Sequence, residues 1–264
     1  MAHKTMVGGT NYDITGGRTM VDGTVYGIQK GKTMVDGTVG EIGFSTGIPI
    51  SEAGLAVGDS VFAKVNGVRT EFLIVQTKKP SSMYDSSCDG YWLLAKDVYE
   101  RRAWNSSNRN SYKDSTIHTY LNGAFLDLFD TGIKSQIKTV KIPYVNGTGQ
   151  SGSVASGSNG LETKIFLLSA YEVGITTVEV FTVPADGYDK LSYFTNNTRR
   201  VAYFNGKANV WALRTPTSGA NLYCIGVTTG GTGTYQSCSG TNGIRPAFII
   251  DGSVCVDENY NLIG

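Results

Sequence analysis

Chemistry at a protein site needs nucleophiles, bases or metal ligands held close together, and this sequence supplies few. Its only histidines are His3 and His118. Two such distant histidines argue against a His-ligated metal centre and remove the usual general base. The four cysteines, Cys88, Cys224, Cys238 and Cys255, form no C-x-x-C pair. In a chain of 264 residues they do not make a disulfide-dependent small fold. A glycosidase would need only two carboxylates. Asp85, Asp89, Glu100, Asp186, Asp189, Asp251, Asp257 and Glu258 are available, but nothing in the sequence pairs them. "VDENYN", from Val256, carries calcium-ligand residue types yet reads better as a turn leading to Leu262. The sequence therefore predicts no catalytic residue, no metal site and no cofactor.

Binding chemistry is better represented. From Ser218 to Gly243 the chain reads SGANLYCIGVTTGGTGTYQSCSGTNG, without one charged residue. The flanking charges are Arg214 and Arg245. A solvated loop normally carries Lys, Glu or Asp, and a buried strand Leu, Ile and Val. Ser, Gly, Asn and Tyr instead make antibody-like contact surfaces. There Tyr gives rigid amphipathic area at low entropy cost, and the small polar residues adapt their hydrogen bonds. A hairpin turning at Thr229 to Gly233, centred on Gly231, would set Tyr223 opposite Ser239, Ile225 opposite Ser237 and Val227 opposite Tyr235. Side chains alternate between faces along a strand. One face would then carry Asn221, Tyr223, Ile225, Tyr235, Ser237 and Ser239, with Thr241 and Asn242 following. These eight are the expected ligand-binding residues. The other face would carry Leu222, Cys224 and Cys238. In that register the two cysteines lie opposite each other, with β-carbons roughly 4.5–5.5 Å apart, near disulfide geometry. They form a disulfide outside the cytosol or remain buried thiols. The alternative for the whole stretch is an ordinary Gly/Ser-rich hairpin without a ligand.

The elements that must position this stretch are mostly strands. "DSVFAKV" and "TEFLIVQ" flank a turn at Asn66-Gly67 and read as a hairpin. "GYWLLAKDV" is a further strand or an entry to a helix, and "NVWALRTP", Ala220 to Thr228, Thr234 to Ser239 and "GIRPAFIID" are strands. In "DSTIHTYLNGAFLDLF" the period changes. Ile117, Tyr120, Leu121, Phe125, Leu128 and Phe129 recur at helical spacing, with Asp114 or Ser115 as N-cap and His118 on the polar face. Gln150 to Gly160 reads as a flexible loop. Charged residues are only 17% and Gly numbers 34, while Tyr outnumbers Phe, 15 to 10. That composition belongs to a β-rich globular chain and not to a disordered one. With net charge +1 and no basic stripe, nucleic acid is not expected as a partner. No apolar run is long enough for membrane insertion and the N-terminus has no signal-peptide core, so assembly in a bacterial cytoplasm is expected.

The first 45 residues repeat with a period of 14: KTMVGGTNYDITGG from Lys4, RTMVDGTVYGIQKG from Arg18 and KTMVDGTVGEIGFS from Lys32. Each unit predicts two short strands around a type I′ turn, at Gly8-Gly9, Asp22-Gly23 and Asp36-Gly37. One such hairpin cannot stand alone. Met6, Met20 and Met34, and Val7, Val21 and Val35, must pack on each other, on another copy or on a partner. The repeats are a β-rich subdomain of the same protomer or a docking and oligomerisation module.

These T-x-V-x-G-T-x-Y-x-I repeats resemble N-terminal segments of bacteriophage tail-associated proteins. "YWLLAKD", "YLNGAFLDLF", "IFLLSAYEVG", "VWALRTP" and "GIRPAFII" together resemble an uncharacterised domain common in gut bacteria and their phages. Its signature matches Trp211, Leu213, Arg214, Thr215 and Pro216, then Gly243, Ile244, Arg245, Pro246 and Ala247, across roughly Val57 to Asp251. The resemblance implies an α+β fold: a C-type-lectin-like domain with antiparallel strands and two main helices, beside an N-terminal all-β hairpin-repeat module. That fold is shared with formylglycine-generating enzymes and the variable proteins of diversity-generating retroelements. The enzymes' copper-binding cysteine pair has no counterpart here except Cys238 and Cys255, in unmatched surroundings. The expected layout is residues 1–45 as repeats, 46–56 as linker and 57–264 as ligand-binding domain. Arg214 and Arg245 are expected to anchor loops through backbone carbonyls, and Trp211 to lie in the core. The implied function is that of a tail-associated receptor-binding protein or adhesin on the virion. Its partners would be a host cell-surface protein or glycan and, through residues 1–45, other tail proteins. It could be displayed as a homotrimer and diversified by adenine mutation between Ser218 and Gly243. The alternative is a structural tail or decoration protein.

Overall fold

The computed structural model describes the backbone of six strands between His3 and Ile42 and, with side chains, residues 47–147, 152–188 and 190–264. Each 14-residue repeat is one hairpin: His3–Val7 with Thr10–Ile14, Arg18–Val21 with Thr24–Gly27, and Gly31–Val35 with Thr38–Ile42. Val7, Val21 and Val35 oppose Thr10, Thr24 and Thr38, which leaves two residues to connect each pair. The turns themselves, and the packing expected of the Met and Val side chains, lie outside the described residues.

Ten strands build the two main sheets of the domain. In chain order they are β1 (Ser60–Val65), β2 (Val68–Gln76), β3 (Tyr91–Ala95), β4 (Glu100–Ala103) and β5 (Ile165–Phe166). They continue as β6 (Trp211–Pro216), β7 (Tyr223–Val227), β8 (Gly233–Ser237), β9 (Thr241–Ile244) and β10 (Ala247–Ile250). One sheet has the order β5-β10-β3-β2-β1 and the other β4-β9-β6-β7-β8. Neighbours are antiparallel except β6 and β9, which run parallel with Trp211 beside Gly243. The apolar strands β3 and β10 are buried almost throughout, as expected for strands covered on both faces.

The expected α+β architecture with two main helices is overturned. The described residues are mostly β-sheet, with one sustained helical run. It begins as an α-helix at Thr116–Tyr120, widens to a π-turn over Leu121–Phe125 and ends as a 3-10 turn at Leu126–Leu128. Ser115, not Asp114, is its N-cap and accepts from the His118 backbone N–H. The widening falls at Asn122-Gly123, a poor helix pair. There the Asn122 side chain donates to the His118 and Ile165 carbonyls and accepts from Lys164 and Ile165 N–H. The next helix, Thr131–Gln136, is under two turns long. It stops at Ile137 because the chain must extend to pair Val140–Ile142 with Leu161–Thr163. Within the expected loop from Gln150 to Gly160, Ser153–Ala155 is a strand paired with Tyr144–Asn146, and Gln150 lies outside the described residues.

The chain passes between the two sheets four times; two of these passages are short, at Lys96–Tyr99 and at Arg245-Pro246, and one side chain ties both. Arg245, fully buried, donates to the Ala95 and Lys96 carbonyls and stacks 4.5 Å from the centre of the Trp211 ring. The Trp211 indole N–H is satisfied in turn by the Arg200 carbonyl. The segment expected to link repeats and domain carries Ile48–Pro49, paired with Cys255–Val256, and Ile50, whose side chain is fully buried. Gly47 lies so close to the C-terminal segment that a β-carbon there would stand 2.5 Å from both Cys255 and Ile263.

Candidate functional site

The uncharged stretch forms β7, β8 and β9, with β8 at the sheet edge. The pairing of β7 with β8 is offset by two residues from expectation: Tyr223 faces Ser237, Ile225 faces Tyr235 and Val227 faces Gly233. An even offset keeps every side chain on its expected face. The offset arises at the turn. Gly231, at φ 81°, is pressed against the Asn197 carbonyl, where a β-carbon would come within 1.9 Å. This packing fixes the loop over Thr228–Thr232, closed by a Thr228 N–H to Thr232 carbonyl bond of 2.8 Å.

The expected binding face is covered over part of its length. The hairpin of Thr177–Val178 with Phe181–Thr182 lies on the Gly233 end, where a β-carbon on Gly233 would meet Ile175 and Val178. Ile225, on the same face, is fully buried and cannot face a ligand. Asn242 is also buried, because its amide donates to the Ser237 and Gly240 carbonyls and braces the turn into β9. These two expected ligand-binding residues are structural. Tyr223 and Tyr235 remain at the surface, joined by Phe181 from the covering hairpin. Ring centroids are 5.3 Å apart for Tyr223–Tyr235, 4.9 Å for Phe181–Tyr235 and 5.9 Å for Phe181–Tyr223. Tyr235 is 37% exposed, and Val180 at the hairpin tip is 76% exposed. Phe181 lies outside the uncharged stretch, and only the pairing of strands across the fold brings it in.

A polar rim borders the rings. Ser237 and Ser239 hydroxyls lie 3.3 Å apart, and Asn108 accepts from the Ser239 N–H. Thr241 and Ser239 are exposed and Asn221 is half-buried. The Asn110 amide reaches beneath this rim and donates to the Thr217, Ala220 and Tyr223 carbonyls, holding the start of β7 in place.

On the opposite face Cys224 and Cys238 are buried free thiols. Cys224 opposes Gln236 and not Cys238, so the two cysteines are diagonal neighbours. Burial and the adjacent Cys238 thiol hold the Cys224 thiol well above its ordinary range.

Beneath β6 lies a polar cluster that the sequence did not announce. Arg214, fully buried, uses all five of its N–H donors. Two go to the Glu172 carboxylate at 2.6 and 2.7 Å, and three to the Pro143, Leu167 and Asp186 carbonyls at 3.0 Å. Glu172 also accepts from the Tyr84 hydroxyl and the Ser169 N–H. The Asp186 carboxyl accepts from Thr215, while its second oxygen has no partner among the described residues. Burial raises the Asp186 carboxyl to about 7, with Glu172 adding to the rise and Arg214 and Thr215 opposing it. Both signature arginines thus grip backbone carbonyls as expected. Arg214 carries an ion pair as well.

Little else is arranged for reaction. His118 is half-buried, its ring against Tyr112, and burial lowers its pKa. Asp85, Asp89, Asp251 and Asp257 each bind N–H groups of nearby turns; Asp189 lies outside the described residues. Among the described residues no three His, Cys, Asp or Glu side chains form a metal-binding group. Clefts of about 220 and 460 Å³ open beside β1–β3 and residues 257–264, away from the three rings.

No curated protein matches the chain, and neither does any solved structure. Residues 89–252 match the family model described as Domain of unknown function (DUF6273). That segment runs from before β3 to just past β10, so it includes Arg214, Arg245, Glu172, Asp186 and all three surface rings. The chain belongs to the DUF6273 family.

Proposed function

We propose that this protein is a bacteriophage tail-associated receptor-binding protein. In this reading Phe181, Tyr223 and Tyr235 anchor a host-surface protein or glycan, and the rim of Asn221, Ser237, Ser239 and Thr241 adapts to it. The observation that carries the reading is the three-ring cluster, partly open to solvent on strands that hold no charge from Ser218 to Gly243. Rigid aromatic anchors ringed by small polar groups are the composition of adaptable recognition surfaces. The cluster rests on a braced scaffold, so an anchor side chain can be removed without unfolding the domain. Residues 1–45 carry the attachment to other tail proteins.

Tyr235→Ala and Phe181→Ala should fold normally and bind host cells at least roughly 30-fold more weakly, the effect of losing about 2 kcal/mol at an interface hot spot. Cell-attachment titrations of the purified chain measure this. Undiminished attachment by both variants would remove the recognition reading in favour of a structural tail or decoration protein.

Adenine-directed diversification of the stretch belongs to the same proposal, with fewer positions open to it. Codon-level sequencing of natural populations should find substitutions concentrated at Asn221, Tyr235, Ser239 and Thr241. Cys224, Ile225, Val227, Cys238 and Asn242, all buried, should stay fixed. Uniform or silent variation across the stretch would mean the face is not diversified.

A further inference from the structure

The strand β8 is a sheet edge, and its sequence, Gly-Thr-Tyr-Gln-Ser, carries no charge and no proline. Edge strands are normally guarded by charge, proline or a bulge. The direction of its free backbone groups follows from the bonds at either end of the pair. Cys238 N–H donates to the Leu222 carbonyl and Thr228 N–H to the Thr232 carbonyl. In an antiparallel pair bonded and non-bonded residues alternate. Thr234 and Gln236 therefore point their N–H and C=O groups at β7, while Gly233, Tyr235 and Ser237 point theirs outward. Among the described residues the Tyr235 and Ser237 N–H groups have no acceptor in these directions. The Tyr235 carbonyl accepts only from the side chain of the adjacent Gln236, at 2.8 Å.

We infer that β8 pairs with β8 of a second copy of this chain, antiparallel about a two-fold axis at Tyr235. The outward residues are spaced symmetrically about that axis: Tyr235 meets its own copy, and Gly233 meets Ser237. An isologous contact requires such self-complementarity. The strand carries no charge, so like meets like without repulsion, and a charged partner would find no complement on it. Outward N–H groups at an exposed edge, met by water in the single chain, exchange that water for carbonyls of the second strand. The Ser237 carbonyl is already held by the Gly240 N–H and the Asn242 amide, which leaves the central Tyr235 pair the main exchange. Pairing also places the two Tyr235 rings side by side, so that the rings of both copies form one continuous row. This dimer goes beyond the receptor-binding proposal and stands without it, since it uses backbone groups and not the ring faces.

Two measurements on the full chain test it. Sedimentation over a hundredfold concentration range should show a dimer of the 28.3 kDa chain. Ser237→Pro should shift it to monomer, because proline removes an outward N–H and leaves the ladder to β7 and all three rings intact. Under oxidation Tyr235→Cys should form an intermolecular disulfide through residue 235. Hydrogen-bonded antiparallel partners lie roughly 5.5 Å apart between α-carbons, which suits that bond. Ser237→Cys, opposite Gly233, should not cross-link to itself. A monomer at all concentrations, a trimer, or a dimer that Ser237→Pro leaves unchanged would overturn the inference. Tyr235→Ala tells the two proposals apart: host-cell binding lost with the dimer intact concerns recognition alone and leaves the pairing of β8 standing.

Discussion

Glu172→Ala should destabilise the domain by about 3–5 kcal/mol, because removing one partner of a buried ion pair leaves the other charge uncompensated. Arg214 has no access to water and no second carboxylate on its guanidinium. The Tyr84 hydroxyl and the Ser169 N–H also lose their acceptor. Urea denaturation of wild type and variant measures the difference. Arg214→Met combined with Glu172→Leu should recover only the part due to the uncompensated charge, because the Tyr84 hydroxyl, the Ser169 N–H and the Pro143, Leu167 and Asp186 carbonyls stay without their partners. A single-variant cost below about 1 kcal/mol, the range of surface pairs, would show that the cluster does not hold β6 to the loops beneath it.

Asp186 gives the domain a pH-dependent stability. Its carboxyl titrates near 3.8 when unperturbed and is raised to about 7 in the fold. Between those values the folded chain holds one proton more than the unfolded chain. The resulting stabilisation is complete below about pH 4 and is lost at up to about 1.4 kcal/mol per pH unit as pH rises toward 7. Asp186→Asn has no proton to lose. The stability of this variant relative to wild type should therefore rise between pH 4 and pH 7 and level off above that. Denaturation midpoints across the range measure it. A difference independent of pH would mean that Asp186 stays ionised in the folded domain.

Alternation and turn residues made the strands readable. Tyr223 and Tyr235 keep their expected common face even though the register is offset, because the offset is even. The spacing of apolar residues after Asp114 likewise marks the helical run. What stayed hidden depends on contacts between distant segments. Ile225 has the same parity as Tyr223, yet it is fully buried, beside the end of β8 on which the hairpin at Thr177–Thr182 packs. Asn242 looks like a surface residue until its amide is seen bracing a turn. Phe181 and Glu172 join their clusters across the fold, and no local pattern ties either to the strands it serves. The α+β expectation with two main helices comes from the resemblance and not from the spacing of residues. Asn122 and the extended segment after Ile137 limit what this chain can wind.

The pairing of Ile48–Pro49 with Cys255–Val256, and the contact of Gly47 with Ile263, bring both connections of the domain to one pole. The domain can therefore be treated as an insert. Short linkers from residues 47 and 264 could graft it into a surface loop of an unrelated carrier without stretching its core. Tying those two ends together and reopening the chain at the exposed Asn205-Gly206 turn would give a circular permutant with the same two sheets. In such a permutant the new termini would leave from the hairpin of Ala202–Phe204 with Lys207–Asn209, so the domain could be hung from a carrier in a second orientation.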